Sequence, residues 1–417
     1  MKHLVSMVLL IVVAPLAMAA DLRQARPEAV GMSSERLDRI RPFMQQYIDD
    51  GKLVGIQTLV ARRGRIVHFE TVGDLDRNTG APIEDDSLFR IYSMTKPVVT
   101  LAAMMLHEEG RFSLEDPIAK YLPAFRDVKV LEDGALVDVD HPPTIRELMS
   151  HSAGLTYGVF GNTDVDKMYR EKVSMFQRDR QTDLAEFVET LGTVPLLYQP
   201  GTRWVYSVSV DVLGRLIEVV SGQPLDEFLD ERLFTPLGMD DTFFEVPADK
   251  VDRFGTNHSL NREGKLIVTD APETSQYTRP VTFFSGGGGL VSTTMDYLRF
   301  SQMMLNGGEL NGVRIVSPKT VEIMTINHLA DGITSGFGER PGVAGTFGFG
   351  LGFGVATEAP RTQLGSKGTY TWGGAAGTVF WIDPDEDLVA ILMVQMMRNP
   401  YPLRTEFSNL VYSAIEE

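Results

Sequence analysis

Strand-like segments stand at opposite ends of this sequence, with helical signals between them. That separation restricts the fold more than any other feature. Near the start, residues 55–61 and 66–72 are runs rich in apolar and β-branched residues, joined by Arg62-Arg63-Gly64-Arg65, a hairpin pattern. Near the end, residues 349–355, 368–372, 377–382 and 388–394 read as four more strands, the middle two joined by Gly373-Gly374-Ala375-Ala376. An isolated hairpin is marginal in water, so the two ends are expected to build one sheet. Helices are predicted over 34–50, after the capping pattern Ser33-Ser34-Glu35, and over 401–415. Between the strand blocks, residues 100–109, 143–149, 184–191, 210–221 and 225–233 have helical spacing. The expected fold class is α/β (α+β): an antiparallel sheet flanked by N- and C-terminal helices, with an inserted all-helical domain. Residues 21–85 and 285–417 would form the sheet domain and 86–284 the mainly helical insertion. The junction of the two is a usual place for a ligand cleft.

The 417 residues carry a formal charge of −17, which argues against nucleic-acid or anionic-membrane partners. There is no cysteine, so disulfides, thiolate metal sites and a cysteine nucleophile are excluded. Lys2 and His3 precede an apolar run over 4–18, and Ala17-Met18-Ala19 gives the small-x-small pattern of a cleavage site. Residues 1–19 are therefore expected to be a secretory signal peptide, cut after Ala19 or Ala20. The mature chain would be exported, to a bacterial periplasm or the medium, and not membrane-bound.

At the proposed junction lies Ser93-Met94-Thr95-Lys96. A serine and a lysine three apart on a helix share a face, about 5–6 Å apart at Cβ. A hydroxyl becomes a useful nucleophile only when a base takes its proton, and a lysine held neutral is such a base. Pro97 places a helix start within a residue or two of Ser93, because proline is tolerated only in the first turn. The positive end of that helix would favour negative charge at the serine. Alone, the spacing is common enough to arise by chance.

Other chemistries find less support. The seven histidines are scattered, and His107-Glu108-Glu109 lacks the second histidine of a zinc helix. There is no Gly-x-Ser-x-Gly and no alternation of strand and helix. Gly286-Gly287-Gly288-Gly289 lacks the Lys-Ser/Thr of a phosphate loop, and reads as a turn or a close backbone approach beside a site. No metal and no cofactor are expected.

Taken together, Ser93-Met94-Thr95-Lys96, His151-Ser152-Ala153-Gly154-Leu155, Tyr206-Ser207 and Trp372-Gly373-Gly374 resemble the family VIII carboxylesterases, bacterial relatives of class C β-lactamases and D,D-peptidases. Phe234-Thr235-Pro236-Leu237-Gly238-Met239 and residues 287–293 are in the same style, so the resemblance spans about residues 34–394. It implies a penicillin-binding-protein-like fold and a set of roles. Ser93 would attack the acyl carbon, and Lys96 and Tyr206 would act together as base and then acid. The backbone N–H groups of Ser93 and Ala375 would form the oxyanion hole. Trp372, Gly373 and Gly374 would line the substrate on a sheet edge. His151 is read as a buried, hydrogen-bonded residue, since Lys96 and Tyr206 already supply the proton carriers.

Two departures bear on the reaction. Val208 stands where the lactamase tyrosine motif ends in asparagine, and Trp372-Gly373-Gly374 replaces Lys-Thr-Gly. The groups that would hold a substrate carboxylate are missing, which favours a neutral small-molecule ester with a short acyl chain. Weak β-lactamase or D,D-carboxypeptidase activity, an acyl-binding sensor and an acyltransferase stand as alternatives.

Overall fold

A computed structural model describes residues 22–173, 182–336, 346–360 and 364–417. The segment expected to be a signal peptide lies outside them. Among the described residues, no helix is long and apolar enough to cross a membrane.

The two ends of the chain do share a sheet. Strands β1 (Gly55–Arg62) and β2 (Arg65–Asp76) form the N-terminal hairpin. Its turn places Arg63 and Gly64 at φ of 50° and 69°. A short strand, β3 (Phe89–Arg90), leads to the Ser93 segment and pairs with β4 (Val291–Ser292). The C-terminal part contributes β5 (Phe347–Phe349), β6 (Gly354–Ala356), β7 (Tyr370–Gly373), β8 (Val379–Asp383) and β9 (Leu388–Val394). Among the described residues the main sheet has nine strands, running in order β2-β1-β9-β8-β7-β6-β5, with two short strands added at β2. Strand β9 pairs antiparallel with β1 along its whole length, Leu388 opposite Arg62 and Val394 opposite Ile56.

The central strands are buried on both faces, and the period of two sorts their side chains. Val389, Ile391 and Met393 face one core; Leu388, Ala390, Leu392 and Val394 face the other. The second core is closed by helices α1 (Ile40–Asp49) and α8 (Leu403–Ser413), through Ile40, Met44, Phe407 and Val411. The first core continues from the sheet into the middle of the chain. It takes in α2 (Thr95–Glu108), α3 (Ile145–Met149), α4 (Leu184–Leu191), α5 (Ser209–Ser221), α6 (Leu225–Leu229) and α7 (Thr294–Leu305).

The structure differs from the sequence reading in three places. The helix expected over 34–50 is split into Ser34–Leu37 and α1. Pro42 has no N–H to give Asp38, and its ring opposes that carbonyl, so the helix restarts at Ile40. The single strand expected over 349–355 is a hairpin, β5 and β6, turned at Gly350-Leu351-Gly352 with Gly352 at φ 83°. The insertion expected to be all-helical is mainly helical but also holds two hairpins, Lys129–Glu132 with Ala135–Asp138 and Asn257–Leu260 with Leu266–Asp270. The first turns on Asp133-Gly134, both at positive φ, the pair a tight hairpin demands. The helical spacing read from residue 100 extends back to Thr95, two residues past Ser93, the start that Pro97 predicts. Its proline is third in the helix, where no intrahelical partner for its N–H exists.

Candidate active site

Every residue from Thr95 to Leu106 is buried, so α2 threads the core with apolar groups on all sides. Over the longer stretch from Ser87 to Leu106, Ser93 alone is not buried. A backbone turn achieves this. Tyr92, directly before the serine, has φ 44°, a conformation costing a non-glycine residue about 1–3 kcal/mol. Its surroundings hold it there: the Tyr92 hydroxyl accepts a 2.8 Å bond from Asn257 Nδ2, and its ring meets the edge of Tyr277. A single 3-10 turn, Tyr92–Met94, then runs into α2. Ile91 N–H bonds Leu290 O at 3.1 Å, Leu290 N–H bonds Thr95 Oγ1 at 3.1 Å, and the Tyr297 hydroxyl bonds Met94 O at 2.9 Å.

Ser93 and Lys96 come together as the spacing predicts. Lys96 is fully buried, and its Nζ lies 3.3 Å from Ser93 Oγ, 2.9 Å from the Tyr157 hydroxyl and 2.6 Å from Gly287 O. A neutral amine has two N–H groups and one lone pair. The Gly287 carbonyl can only accept, so it takes one N–H. If Tyr157 takes the second, the lone pair is left for the Ser93 hydroxyl.

Tyr206 is in the same site but joined differently. Lys96 Nζ lies over the Tyr206 ring, 4.5 Å from its centroid, while the Tyr206 hydroxyl accepts a 3.3 Å bond from Trp372 Nε1. The tyrosine whose hydroxyl bonds Lys96 is Tyr157, which the sequence reading did not single out. It stands two residues past His151-Ser152-Ala153-Gly154-Leu155, and that adjacency was the available signal. Burial pushes the Tyr157 phenol well above the usual tyrosine value, and the neighbouring Tyr206 and Asp211 push the same way. Tyr157 therefore keeps its proton at neutral pH.

Trp372 is only 3% exposed. Rather than standing open as a substrate wall, its indole packs on Tyr206, with centroids 5.4 Å apart, and meets Phe349 edge-on at 5.1 Å. Trp204 stacks on Tyr206 from another side, and Phe160, 71% exposed, lies 6.0 Å from the same ring. Gly373 ends β7, and the turn from Gly374 to Thr378 approaches the serine segment closely. A Cβ on Gly374 would fall 2.5 Å from Ile91 O, so only glycine allows this contact. Ala375 follows in that turn, its carbonyl accepting from Arg398 N–H.

His151 has a structural environment. It is buried at φ 57°, with Nδ1 3.0 Å from Ser207 Oγ, itself 2.7 Å from Ser209 Oγ. Its ring lies 4.9 Å from that of Tyr206. Burial, and then the charge of Lys96, hold its pKa well below the usual histidine value, so it stays neutral. Val208 is fully buried, and no polar group at that position reaches the site.

The four glycines make the close approach expected of them. Gly287 offers its carbonyl to Lys96 and its N–H to Asp211 Oδ1 at 3.0 Å. A Cβ there would lie 2.4 Å from Asp211 Oδ2 and 3.0 Å from the Tyr157 hydroxyl. Asp211, fully buried in the first turn of α5, is the second residue the sequence reading missed. An acidic residue between Val210 and Val212-Leu213, five past Tyr206, was its signal.

A buried lysine in the first turn of a core helix, beside a serine that is not buried, defines a class of serine hydrolase, and comparison with known proteins agrees. The family model described as "Beta-lactamase" matches residues 40–410. The chain belongs to the β-lactamase family and has its penicillin-binding-protein-like fold. It is similar to Protein Rv1367c of Mycobacterium tuberculosis, 36% identical over 371 residues, covering 86% of this chain and 90% of that one. Esterase EstB of Burkholderia gladioli is 31% identical over 378 residues, covering 85% and 89%. Among solved structures, "EstCE1, a hydrolase with promiscuous acyltransferase activity", superposes with a TM-score of 0.78 at 26% identity, covering 92% of this chain and 99% of that one. The protein is thus a hydrolase of the serine family that groups esterases, β-lactamases and D,D-peptidases.

Proposed function

We propose that the protein is a carboxylesterase of the Ser-x-x-Lys type, working through an acyl-enzyme on Ser93. One observation carries the reading: Lys96, buried and bonded to Gly287 O, is 3.3 Å from the one side chain of its stretch that is not buried. Ser93 Oγ bonds to the ester carbonyl carbon as its proton passes to Lys96. The tetrahedral oxyanion is held by the N–H groups of Ser93 and Ala375; removing one such donor typically costs about 10²–10³ in rate. The C–O bond to the alcohol then breaks, and the alcohol leaves with the proton from Lys96. Water repeats the sequence on the acyl-enzyme and releases the acid. Lys96 and Tyr206 act as a pair, and Tyr157 fixes the amine by its hydrogen bond.

Ester over lactam is supported by the absent carboxylate-binding residues at Val208 and Trp372, and by the likeness to Esterase EstB. Short acyl chains are favoured because the rings of Trp204, Tyr206, Phe349 and Trp372 pack on one another beside Lys96, leaving them little freedom to part. The likeness to EstCE1 also favours a second reading, transfer of the acyl group to an added alcohol. The protein acts outside the cytoplasm if residues 1–19 are the export signal their pattern suggests; the N-terminal sequence of the mature protein checks this.

The test is a panel of p-nitrophenyl esters of increasing chain length, nitrocefin and a D-Ala-D-Ala peptide, with wild type and Ser93→Ala. Turnover of short esters that vanishes in the variant is the expected result. Efficient nitrocefin or peptide turnover with negligible ester cleavage would overturn it. Product partitioning with added methanol measures the transferase share.

A further inference from the structure

Joined to Lys96 through Gly287 is a carboxylate that packing alone does not require. Asp211 is fully buried. Its Oδ1 accepts two bonds, from Ser285 Oγ at 2.5 Å and Gly287 N–H at 3.0 Å. Its Oδ2 is buried and has no hydrogen-bond partner among the described residues. An asparagine would satisfy both donors to Oδ1 without burying a charge. Breaking even with a buried carboxylate requires a compensating charge nearby, since a buried ion is costly to desolvate. Lys96 supplies that charge when it takes the serine proton, and Gly287 links the two: its N–H goes to Asp211 and its C=O to Lys96 Nζ at 2.6 Å. The carboxylate thereby anchors the residue whose carbonyl holds the amine, so the two contacts are set together.

We infer that Asp211 is a positioning residue for the reaction, acting through Gly287 and Lys96. It fixes the Gly287 carbonyl, so that Lys96 presents its lone pair to Ser93. It also balances the positive charge that appears when Lys96 takes the serine proton. No atom of Asp211 touches substrate, and it neither gains nor loses a proton in the cycle. Burial pushes its carboxyl upward, while Lys96 and the bonds from Ser285 and Gly287 pull it back toward the ionised form. The other groups facing Lys96 are uncharged at neutral pH: Ser93, Tyr157 from the loop after α3, and His151, held neutral by burial. Tyr206, the fourth neighbour, offers its ring face. Asp211 is thus the one carboxylate in this set.

This inference rests on the Ser93–Lys96 esterase reading, and the test separates the two. Asp211→Asn keeps an acceptor for Ser285 and Gly287 and deletes the charge. With p-nitrophenyl acetate, kcat is expected to fall about 10- to 100-fold with KM little changed, the range for losing one close charge partner. The acid limb of kcat against pH moves to lower pH, because the protonated base has lost its counter-charge. A role in packing alone would leave that limb in place. Ser285→Ala is the second variant: it removes one donor to the carboxylate, so activity is lost most at acid pH and recovers as pH rises. Wild-type kcat and an unmoved acid limb in Asp211→Asn would overturn the inference, as would a pH-independent loss in Ser285→Ala if Asp211→Asn does not fold. If Ser93→Ala keeps its ester turnover, the esterase reading itself fails; if Ser93→Ala is inactive while Asp211→Asn matches wild type, only the role of Asp211 fails.

Discussion

The sheet and the loops that surround Lys96 are buried alike but assembled by different means. Strand β9 against β1 is held by a regular ladder and by apolar side chains sorted to two faces. The cage of Lys96 is held by single polar contacts from three distant places: Tyr157, Gly287 and Asp211. The first arrangement tolerates local change and resists only the removal of volume. The second has one bond per role, so each loss is felt in the chemistry before it is felt in the fold.

The sharpest way to break this contrast is at Lys96. Lys96→Met keeps length in the buried site, so the fold is expected to persist while kcat/KM for a short ester drops by roughly 10²–10⁴, the contribution typical of general acid–base groups. Collapse of the fold instead would mean that the polar cage is structural. In the sheet the reverse is expected. Ile391→Ala empties a fully buried position on the core face of β9 and should lower stability by about 2–5 kcal/mol. Urea unfolding measures this, and activity per folded molecule should stay near wild type.

Next in size are the two tyrosines, which sharpen the comparison within the cage. Tyr157→Phe deletes the hydroxyl on Lys96, and Tyr206→Phe deletes the one on Trp372. Tyr157→Phe is expected to lower kcat by about 10- to 100-fold, a hydrogen bond to a charged group being worth about 1.5–3 kcal/mol, and Tyr206→Phe by about 100-fold, the low end for a general acid–base group. If only Tyr206→Phe lowers kcat, Tyr157 merely packs. If only Tyr157→Phe does, Tyr206 is not part of the proton pair.

The smallest expected effect is in the sheet. His68, on β2, is buried with Nε2 2.8 Å from Thr58 Oγ1, and burial lowers its pKa to about 4. The unfolded chain then binds the proton more readily than the folded one. The stability this protects is present above the ordinary value near 6.5 and is lost as pH falls toward 4. Between pH 7 and 5 the loss is about 2 kcal/mol. His68→Gln should flatten this slope when urea midpoints are compared at the two pH values.

The contrast also explains what could be read from the sequence. The strand at 388–394 was legible because a doubly buried strand is an unbroken apolar run, and the one at 55–61 because a turn signal joins it to a second strand-like run. Ser93 and Lys96 were legible because three residues of spacing carry their geometry. Tyr157 and Asp211 were not, since their partners are far away in sequence and a tyrosine after a turn or an aspartate in a helix's first turn has many ordinary explanations. The missed hairpin at Asp133-Gly134 is a different case. Its turn signal was present, but the surrounding helical pattern outweighed it. Pro42 likewise announced the break after Leu37.

The central claim is that acyl transfer begins at Ser93. Mixing enzyme with excess p-nitrophenyl acetate, quenching within one turnover and mass-analysing the peptides tests it directly. The account predicts an acetyl group on the peptide carrying Ser93, formed no more slowly than nitrophenol is released, and absent from Ser93→Ala. Acetyl on another residue, or wild-type nitrophenol release by Ser93→Ala, would contradict it.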